Sequence, residues 1–285
     1  MFMIKAGDSA RWSVHAVLLL FLLGASPAFA ARTLLGAWDL NGDGVPESVY
    51  KNLSAIDIQE ASGFTRTYAI SSGSWSLLAV ADLDGMAGEE LAVNVGSFIR
   101  VITYRIPATR DYAISTGSWS LIGISNMDGV AGAELAINVS SFIRVITHRL
   151  PATRDFAIST SPWAPLGFHD LNGDGANELV VKLGSAVRVI EQKVPATRDY
   201  VISASPWTLL GVRDTNGKPG TELITNSGTA VKIIRDANRT TVNYAIVGYQ
   251  GLNRIANIDG VAGDEVVVNT GSSTKTIYDA TGVVR

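Results

Sequence analysis

Short apolar runs alternate with turn residues along residues 34–285. One representative stretch has such runs at 121–125, 135–139, 142–147 and 156–158. They are rich in β-branched and aromatic residues, and Gly, Ser, Asn and Pro stand between them, which is typical of strands joined by turns. No longer segment beyond the N-terminus shows the 3.6-residue period of a helix. The pattern predicts an all-β chain with four short strands in each stretch.

This pattern repeats about every 44 residues, with units starting near residues 34, 77, 121, 165, 209 and 252. The sequence Pro-Ala-Thr-Arg-Asp recurs with the same step at 107–111, 151–155 and 195–199. Four strands at this period are typical of the blades of a β-propeller. We therefore predict a closed six-bladed β-propeller over residues 34–285. The last unit ends before its fourth strand, so we expect 23 strands and a three-stranded terminal blade.

Several residue types recur at one position in each unit, and each set has two interpretations. We expect the tryptophans and the Tyr/Phe set to pack between blades, although tryptophans also form stacking platforms for sugars. We expect the basic set to pair with carboxylates on neighbouring strands, the alternative being a ring that binds an anionic ligand. The sets are Trp75, Trp119, Trp163 and Trp207; Tyr68, Tyr112, Phe156, Tyr200 and Tyr244; and Arg100, Arg144, Arg188, Lys232 and Lys275.

Two nine-residue loops carry oxygen-bearing side chains at positions 1, 3, 5 and 9: Asp-Leu-Asn-Gly-Asp-Gly-Val-Pro-Glu at 39–47 and Asp-Leu-Asn-Gly-Asp-Gly-Ala-Asn-Glu at 170–178. Glycines at positions 4 and 6 allow the tight, partly left-handed backbone that directs these oxygens to one point. Alternating oxygen ligands, with a backbone carbonyl near position 7, are what Ca²⁺ requires. The alternative is a glycine-rich turn in which Asp and Asn cap backbone amides.

The other four units carry degraded copies of this loop. Position 9 remains glutamate throughout, but position 5 is occupied by Met86, Val130, Lys218 and Val261. The second unit keeps three carboxylates and is a weaker metal candidate, with Asp82, Asp84 and Glu90 as its ligands. In the fifth unit, we expect the ammonium group of Lys218 to take the place of the cation and to pair with Asp214 and Glu222.

The loop, repeated at blade spacing after an apolar strand, resembles the FG-GAP/VCBS repeat family, the calcium-loop β-propellers that include the integrin α-subunit head. The resemblance covers residues 34–285. It implies that each loop joins the two innermost strands of its blade and that the loops line up on one face. The Ca²⁺ ligands that it implies are Asp39, Asn41, Asp43, the backbone of Val45 and Glu47 in one loop, and Asp170, Asn172, Asp174, the backbone of Ala176 and Glu178 in the other.

Residues 1–30 have the features of a secretory signal peptide. Lys5 and Arg11 precede a short apolar run at 16–23, and Ala28-Phe29-Ala30 supplies a small-residue cleavage site. The sequence therefore predicts a secreted, extracellular or periplasmic protein without stable membrane insertion after cleavage. An uncleaved N-terminal anchor is the alternative.

Charge and motif content narrow the function classes. The net charge is −3 with no basic block, which argues against nucleic-acid binding. The chain has no cysteine, so disulfides and thiol catalysis are excluded. No GxSxG, HExxH or phosphate-binding glycine loop occurs, and His148 and His169 lie outside any catalytic motif.

The sequence therefore favours a binding protein over an enzyme. Near-identical blades suit multivalent binding, whereas catalysis needs one asymmetric site. We expect a calcium-binding propeller that acts in carbohydrate binding or cell adhesion, with a surface glycan or protein as its ligand. The alternative is a polysaccharide lyase or hydrolase with its site in the central channel.

Overall fold

The computed structural model describes residues 32–158, 162–203, 206–271 and 273–285. This part of the chain contains 24 strands and one short 3₁₀ helix, Asp236–Asn238. The all-β prediction is confirmed. The expected signal peptide lies outside the described residues.

The strands of the first three blades follow one another at a regular step. Blade 1 contains β1 (Thr33–Trp38), β2 (Glu47–Asn52), β3 (Ala55–Gln59) and β4 (Thr65–Ala69). Blade 2 contains β5 (Ser76–Ala81), β6 (Glu90–Asn94), β7 (Phe98–Thr103) and β8 (Ala108–Ala113). Blade 3 contains β9 (Ser120–Ser125), β10 (Glu134–Val139), β11 (Phe142–Thr147) and β12 (Ala152–Ala157).

The last three blades continue the same order. Blade 4 contains β13 (Trp163–His169), β14 (Glu178–Leu183), β15 (Ala186–Glu191) and β16 (Ala196–Val201). Blade 5 contains β17 (Thr208–Arg213), β18 (Glu222–Asn226), β19 (Ala230–Arg235) and β20 (Thr240–Ala245). Blade 6 contains β21 (Tyr249–Ala256), β22 (Glu265–Thr270), β23 (Ser273–Tyr278) and β24 (Val283–Val284).

Each blade is one antiparallel sheet of four strands in chain order, and the fold is a six-bladed β-propeller, as the repeat predicts. The three-stranded terminal blade and the total of 23 strands were wrong. The chain reverses at Gly282, whose N–H donates to the carbonyl of Tyr278 at 2.8 Å. This turn brings β24 back to pair with β23 through Ile277 and Val284, so two residues suffice for the fourth strand.

Hydrophobic clusters join consecutive blades. Between blades 1 and 2, the cluster includes Ile56 and Ile58 on one side and Leu91 and Val93 on the other, and all four side chains are fully buried. Four further clusters join the next blades in turn. Full burial of one such side chain contributes roughly 1.5–3 kcal/mol, so these junctions form the core of the molecule.

The recurring tryptophans lie at these junctions, which confirms the packing interpretation. Trp75 is 5% exposed, and its indole N–H donates to the carbonyl of Leu53 in the preceding blade at 2.7 Å. Trp119 and Trp207 make the same bond, at 2.6 and 2.7 Å, to Gly96 and Gly184. The Tyr/Phe set is buried in the same clusters, at Tyr68, Tyr112, Phe156, Tyr200 and Tyr244.

Three of the recurring basic residues pair with carboxylates on the adjacent strand, as expected. Arg100 donates from Nε and Nη2 to both carboxylate oxygens of Asp111 at 2.6 Å. Its Nη1 also donates to the carbonyl of Ala69 in the preceding blade at 2.9 Å. Each guanidinium therefore connects two strands of its own blade to the blade before it. The other two pairs are Arg144 with Asp155 and Arg188 with Asp199. The expectation was wrong for Lys232, which donates to the carbonyls of Val201 and Ile202 in the preceding blade, and for Lys275, which has no ion pair in the described residues.

Blades 1 and 6 carry polar residues on the faces that the five clusters leave uncovered. Ser48, Tyr50 and Gln59 in blade 1 occupy the positions of Leu91, Val93 and Ile102 in blade 2. In blade 6, Thr274 and Thr276 occupy those of Ile99 and Val101. Polar outer faces are typical of terminal, capping repeats. Neither the clusters nor the loop hydrogen bonds of the five junctions are repeated between blades 6 and 1 in the described part of the chain, so closure of the ring stays a prediction.

Equivalent substitutions in blades 2 and 6 test this difference. Ile99 is fully buried, whereas Thr274 at the same position of blade 6 is exposed. Ile99→Ala should lower the free energy of unfolding by about 2–5 kcal/mol because it leaves a cavity. Thr274→Ala should change it by less than about 0.5 kcal/mol. Urea denaturation followed by tryptophan fluorescence measures both, and equal losses would show that blade 6 is covered like blade 2.

Candidate calcium loops

Each candidate loop joins the first two strands of its blade, and consecutive loops are bonded to one another. The amide N–H at loop position 8 donates to the carbonyl at position 1 of the preceding loop. These bonds run from Glu89 to Asp39, Ala133 to Asp82, Asn177 to Asn126, Thr221 to Asp170 and Asp264 to Asp214, at 2.7–2.9 Å. The loops therefore lie together on one face, as the resemblance implies. In blade 1, position 8 is Pro46, which has no N–H to donate.

Close packing between loops explains the glycine found at position 7 in four of them. Gly88 has φ +106°, and a Cβ on it would lie 2.7 Å from the carbonyl oxygen of Leu40 in the preceding loop. The equivalent glycines make the same approach and have similar φ values; they are Gly132, Gly220 and Gly263. The sequence shows these glycines, but their contacts across a blade junction could not be predicted from it.

In the first loop, side-chain oxygens accept hydrogen bonds from backbone amides. Asp39 accepts from Gly42 at 2.8 Å through one carboxylate oxygen and from Gly44 at 2.9 Å through the other. Asp43 accepts from the amide of Val45 at 2.7 Å. The fourth loop repeats these contacts from Asp170 and Asp174. The capping described by the alternative interpretation is thus present, and it holds the carboxylates of each loop in place.

The amide of Asn41 lies between two further carboxylate oxygens. Its Nδ2 donates to Asp43 at 2.9 Å and to Glu47 at 3.0 Å. In the fourth loop, Asn172 donates to Glu178 at 3.0 Å. A cation bound by these carboxylates would need the amide oxygen of the asparagine as a ligand, whereas the amide N–H faces them in the structure. Rotation of the side-chain amide exchanges the two groups. The donor set of carboxylate and amide oxygens therefore fits Ca²⁺.

The glutamate at position 9 has a structural role in every loop. Glu47 is 1% exposed, and its Oε2 accepts from the amide of Leu40 at 2.8 Å. Burial raises the pKa of Glu47 and raises that of Glu178 to about 7. The other four glutamates accept the same bond from position 2; they are Glu90, Glu134, Glu222 and Glu265. This bond explains why glutamate persists in loops that have lost metal-ligating positions.

The second loop brings Asp82, Asp84 and Glu90 together, with one carboxylate oxygen from each within 4.8 Å of the others. Arg105, from the turn after β7, already donates to Asp84 at 2.9 Å. Arg149 contacts Asp128 of the third loop in the same way at 2.8 Å. A guanidinium beside the loop competes with a bound cation for these oxygens.

Basic neighbours distinguish the two complete loops. Lys193 lies 3.5 Å from the carboxylate of Asp174 in the fourth loop and donates to its carbonyl oxygen at 2.7 Å. The equivalent residue beside the first loop is Ser62. None of the ion pairs in the described part of the chain involves Asp39, Asp43 or Glu47.

The expectation for Lys218 was wrong. Its ammonium group forms no ion pair with Asp214 or Glu222 in the described structure. The side-chain amide of Asn216 donates to Glu222 instead. The shorter amide already occupies this position in the loop, and Lys218 is exposed.

No protein-family model matches the sequence, and no curated protein matches it. Among solved structures, an Agrocybe aegerita lectin that recognises non-reducing terminal N-acetylglucosamine has 9% identity and a TM-score of 0.43 and covers 90% of this chain and 79% of its own. Virginiamycin B lyase from Staphylococcus aureus has 13% identity and a TM-score of 0.40, over 89% and 83% of the two chains. At these TM-scores, we base no conclusion on either. In the described residues, no helix has the length and apolarity needed to span a membrane.

Two glycine substitutions test the packing between loops. Gly88→Ala and Gly44→Ala both place an alanine at positive φ, which costs about 1–2 kcal/mol. A Cβ on Gly44 meets no atom within 4 Å, whereas one on Gly88 meets the carbonyl of Leu40 at 2.7 Å. We expect Gly88→Ala to lower the melting temperature clearly more than Gly44→Ala. Equal shifts in calorimetry would show that the second loop does not press on the first.

Proposed function

We propose that this protein is an exported, calcium-binding β-propeller that serves as a binding or adhesion module for a surface ligand. The observation that carries the calcium proposal is the donor set of the first and fourth loops. Each has two aspartates, an asparagine and a buried glutamate on one glycine-bearing turn. Neighbouring loops hold this turn through the backbone bonds from positions 8 to 1. Among the described residues, three carboxylate oxygens converge only at Asp82, Asp84 and Glu90, so a cation in the first or fourth loop would have to draw the carboxylates together.

In the first site, the ligands would be Asp39, Asn41, Asp43, the backbone of Val45 and Glu47. In the second, they would be Asp170, Asn172, Asp174, the backbone of Ala176 and Glu178. Bound calcium would neutralise the carboxylates and rigidify the turn. Because the first loop has no basic neighbour, we expect it to bind more tightly than the fourth, where Lys193 contacts Asp174.

The environment of His148 supports a binding protein over an acid–base catalyst. His148 is fixed between the hydroxyl groups of Tyr112, at 2.8 Å, and Thr103, at 3.2 Å. Burial lowers the pKa of His148 and of His169. Because the two hydroxyl groups bind both ring nitrogens of His148, this imidazole has a packing role at the junction of blades 2 and 3.

Calcium titration of residues 31–285 tests the metal proposal. We expect two sites with dissociation constants of about 10⁻⁴–10⁻³ M, the range of extracellular modules. Asp43→Asn should remove the tighter site and Asp174→Asn the weaker one. Lys193→Gln should tighten the weaker site because it removes a competing ammonium group. Asp214→Asn in the fifth loop is the matched control and should change neither, while six equal sites or none would contradict the proposal.

A glycan array probed with the same protein, in calcium and in a chelator, tests the binding proposal. We expect retention on a restricted set of surface glycans without turnover of the ligand. Chelation should lower the melting temperature but leave the protein folded, because the clusters between blades contain no metal ligands. Cleavage of a polysaccharide by the purified protein would favour an enzyme instead.

A further inference from the structure

Two equivalent clefts open between consecutive blades. The first, of about 280 Å³, lies between blades 2 and 3 and is lined by Arg110 and His148 among others. The second, of about 480 Å³, lies between blades 3 and 4 and is lined at the same positions by Arg154 and Gln192. Threonines and apolar side chains line both clefts, and so does one loop carboxylate in each, Asp84 in the first and Asp128 in the second. The clefts are thus two copies of one surface, displaced by one repeat.

Each cleft contains an arginine whose charge is not neutralised by the protein. Arg110 and Arg154 are exposed, and neither forms a hydrogen bond or an ion pair within the described part of the chain. Both are the fourth residue of Pro-Ala-Thr-Arg-Asp. The aspartate that follows is already paired, since Asp111 and Asp155 bind Arg100 and Arg144.

The third copy of this motif shows what such an arginine binds. Arg198 donates from Nε to the carboxylate of Asp236 in the next blade at 2.8 Å and also contacts Glu191. The hydroxyl of Tyr200 donates to Asp236 as well. Asp236 is 3% exposed, so at this junction a carboxylate of the chain itself covers the arginine.

The two open clefts lack counterparts of Asp236 and Glu191. His148 and Gln192 stand where blade 5 has Asp236, and Thr103 and Thr147 stand where blade 4 has Glu191. The junction of blades 1 and 2 is filled differently, because Arg66 donates to the carbonyl of Tyr104 at 3.0 Å and lies 4.8 Å from its ring centroid. At the fifth junction, Val242 replaces the arginine. Uncovered arginines therefore occur in this set only at the two clefts.

We propose that these clefts bind the carboxylates of an acidic polysaccharide, one uronate in each, with Arg110 and Arg154 as the anchoring residues. The proposal deepens the binding function given above and rests on it. A planar guanidinium pairs with a carboxylate through two parallel hydrogen bonds, the arrangement that Asp236 provides to Arg198. Identical clefts one repeat apart suit a polymer with a repeating acidic unit, because occupancy of one raises the effective concentration at the other.

The other charged residues that line the clefts already have partners of opposite charge in the protein, so Arg110 and Arg154 are the residues available to bind a carboxylate. The other charged lining residues are Asp84, Asp128, Arg149 and Lys193. Asp84 is paired with Arg105 and Asp128 with Arg149, while Lys193 lies beside Asp174. Burial lowers the pKa of His148 below its usual value; the nearby Asp84 carboxylate acts against this and the Arg110 guanidinium acts with it. Its imidazole is therefore neutral at neutral pH and adds no competing positive charge.

Binding of an oligogalacturonate of about ten units to residues 31–285 tests the proposal. We expect Arg110→Gln and Arg154→Gln each to weaken binding by about tenfold, the size expected for a charge-assisted hydrogen bond, and the double variant to weaken it further. Arg254→Gln is the matched control, because Arg254 is exposed and has no partner in the described structure; its binding should equal that of the wild type. Melting temperatures confirm that the variants are folded.

A second pair of variants tests the role of the chain's own carboxylate. His148→Asp and Gln192→Asp place an aspartate where blade 5 has Asp236, opposite an arginine that stays in place. We expect each to weaken oligogalacturonate binding because the new carboxylate occupies the guanidinium. Unchanged binding in these variants, together with unchanged binding in the arginine variants, would overturn the proposal.

Comparison ligands distinguish uronate binding in the clefts from the binding of any polyanion and from the binding of neutral glycans. A carboxyl-reduced, neutral form of the same oligosaccharide should not bind, and galacturonate monomer should bind weakly because it occupies one cleft at a time. Equal binding of a polyglutamate peptide would overturn the assignment to a polysaccharide. Binding of neutral glycans that is insensitive to both arginines would overturn the cleft assignment and leave the binding function in place. Oligogalacturonate binding that survives chelation would show that the clefts bind their ligand independently of calcium in the loops.

Discussion

Burial of each blade's face by the next blade is the interaction on which the structure depends. A four-stranded blade has apolar residues on both faces and buries neither one alone. Stacking buries these faces at five junctions; at the first, Ile56 and Ile58 from β3 pack against Leu91 and Val93 from β6. The tryptophan indoles and the paired arginines add polar contacts across the same junctions. The loops and clefts are positioned by this stacking.

The loop residues serve the fold and the candidate metal sites at once. Glu47 and Asp39 accept backbone hydrogen bonds that shape the turn, and their equivalents at positions 1 and 9 do so in degraded loops too. Positions 3 and 5 are less constrained, and these positions separate the complete loops from the others. In the second and third loops position 3 is an aspartate, and an arginine of the protein pairs with each, with Asp84 and with Asp128.

The period of the sequence was sufficient to predict the blades, because each strand is a local run of apolar residues between turns. The nine-residue loops could also be placed from sequence, since their candidate ligands are contiguous. Contacts between side chains from distant parts of the chain could not be predicted in this way. Arg105 reaches Asp84 from a turn 21 residues away, and Arg198 reaches Asp236 across a blade junction. The fourth strand of blade 6 was missed because Val283 and Val284 form too short a run to give a strand signal.

Pro46 ends the row of hydrogen-bonded loops at blade 1. Each loop bonds to the one before it, beginning at the carbonyl of Asp39, and a proline at position 8 of blade 1 cannot extend the row backward to blade 6. The blades then behave as a linear array of nearest neighbours, in which stability is a sum over junctions. Among the described residues, the hydrophobic clusters hold blades 2 to 5 on both sides and blades 1 and 6 on one side. Exchange of backbone amides with solvent should therefore begin in blades 1 and 6 and reach blades 3 and 4 last.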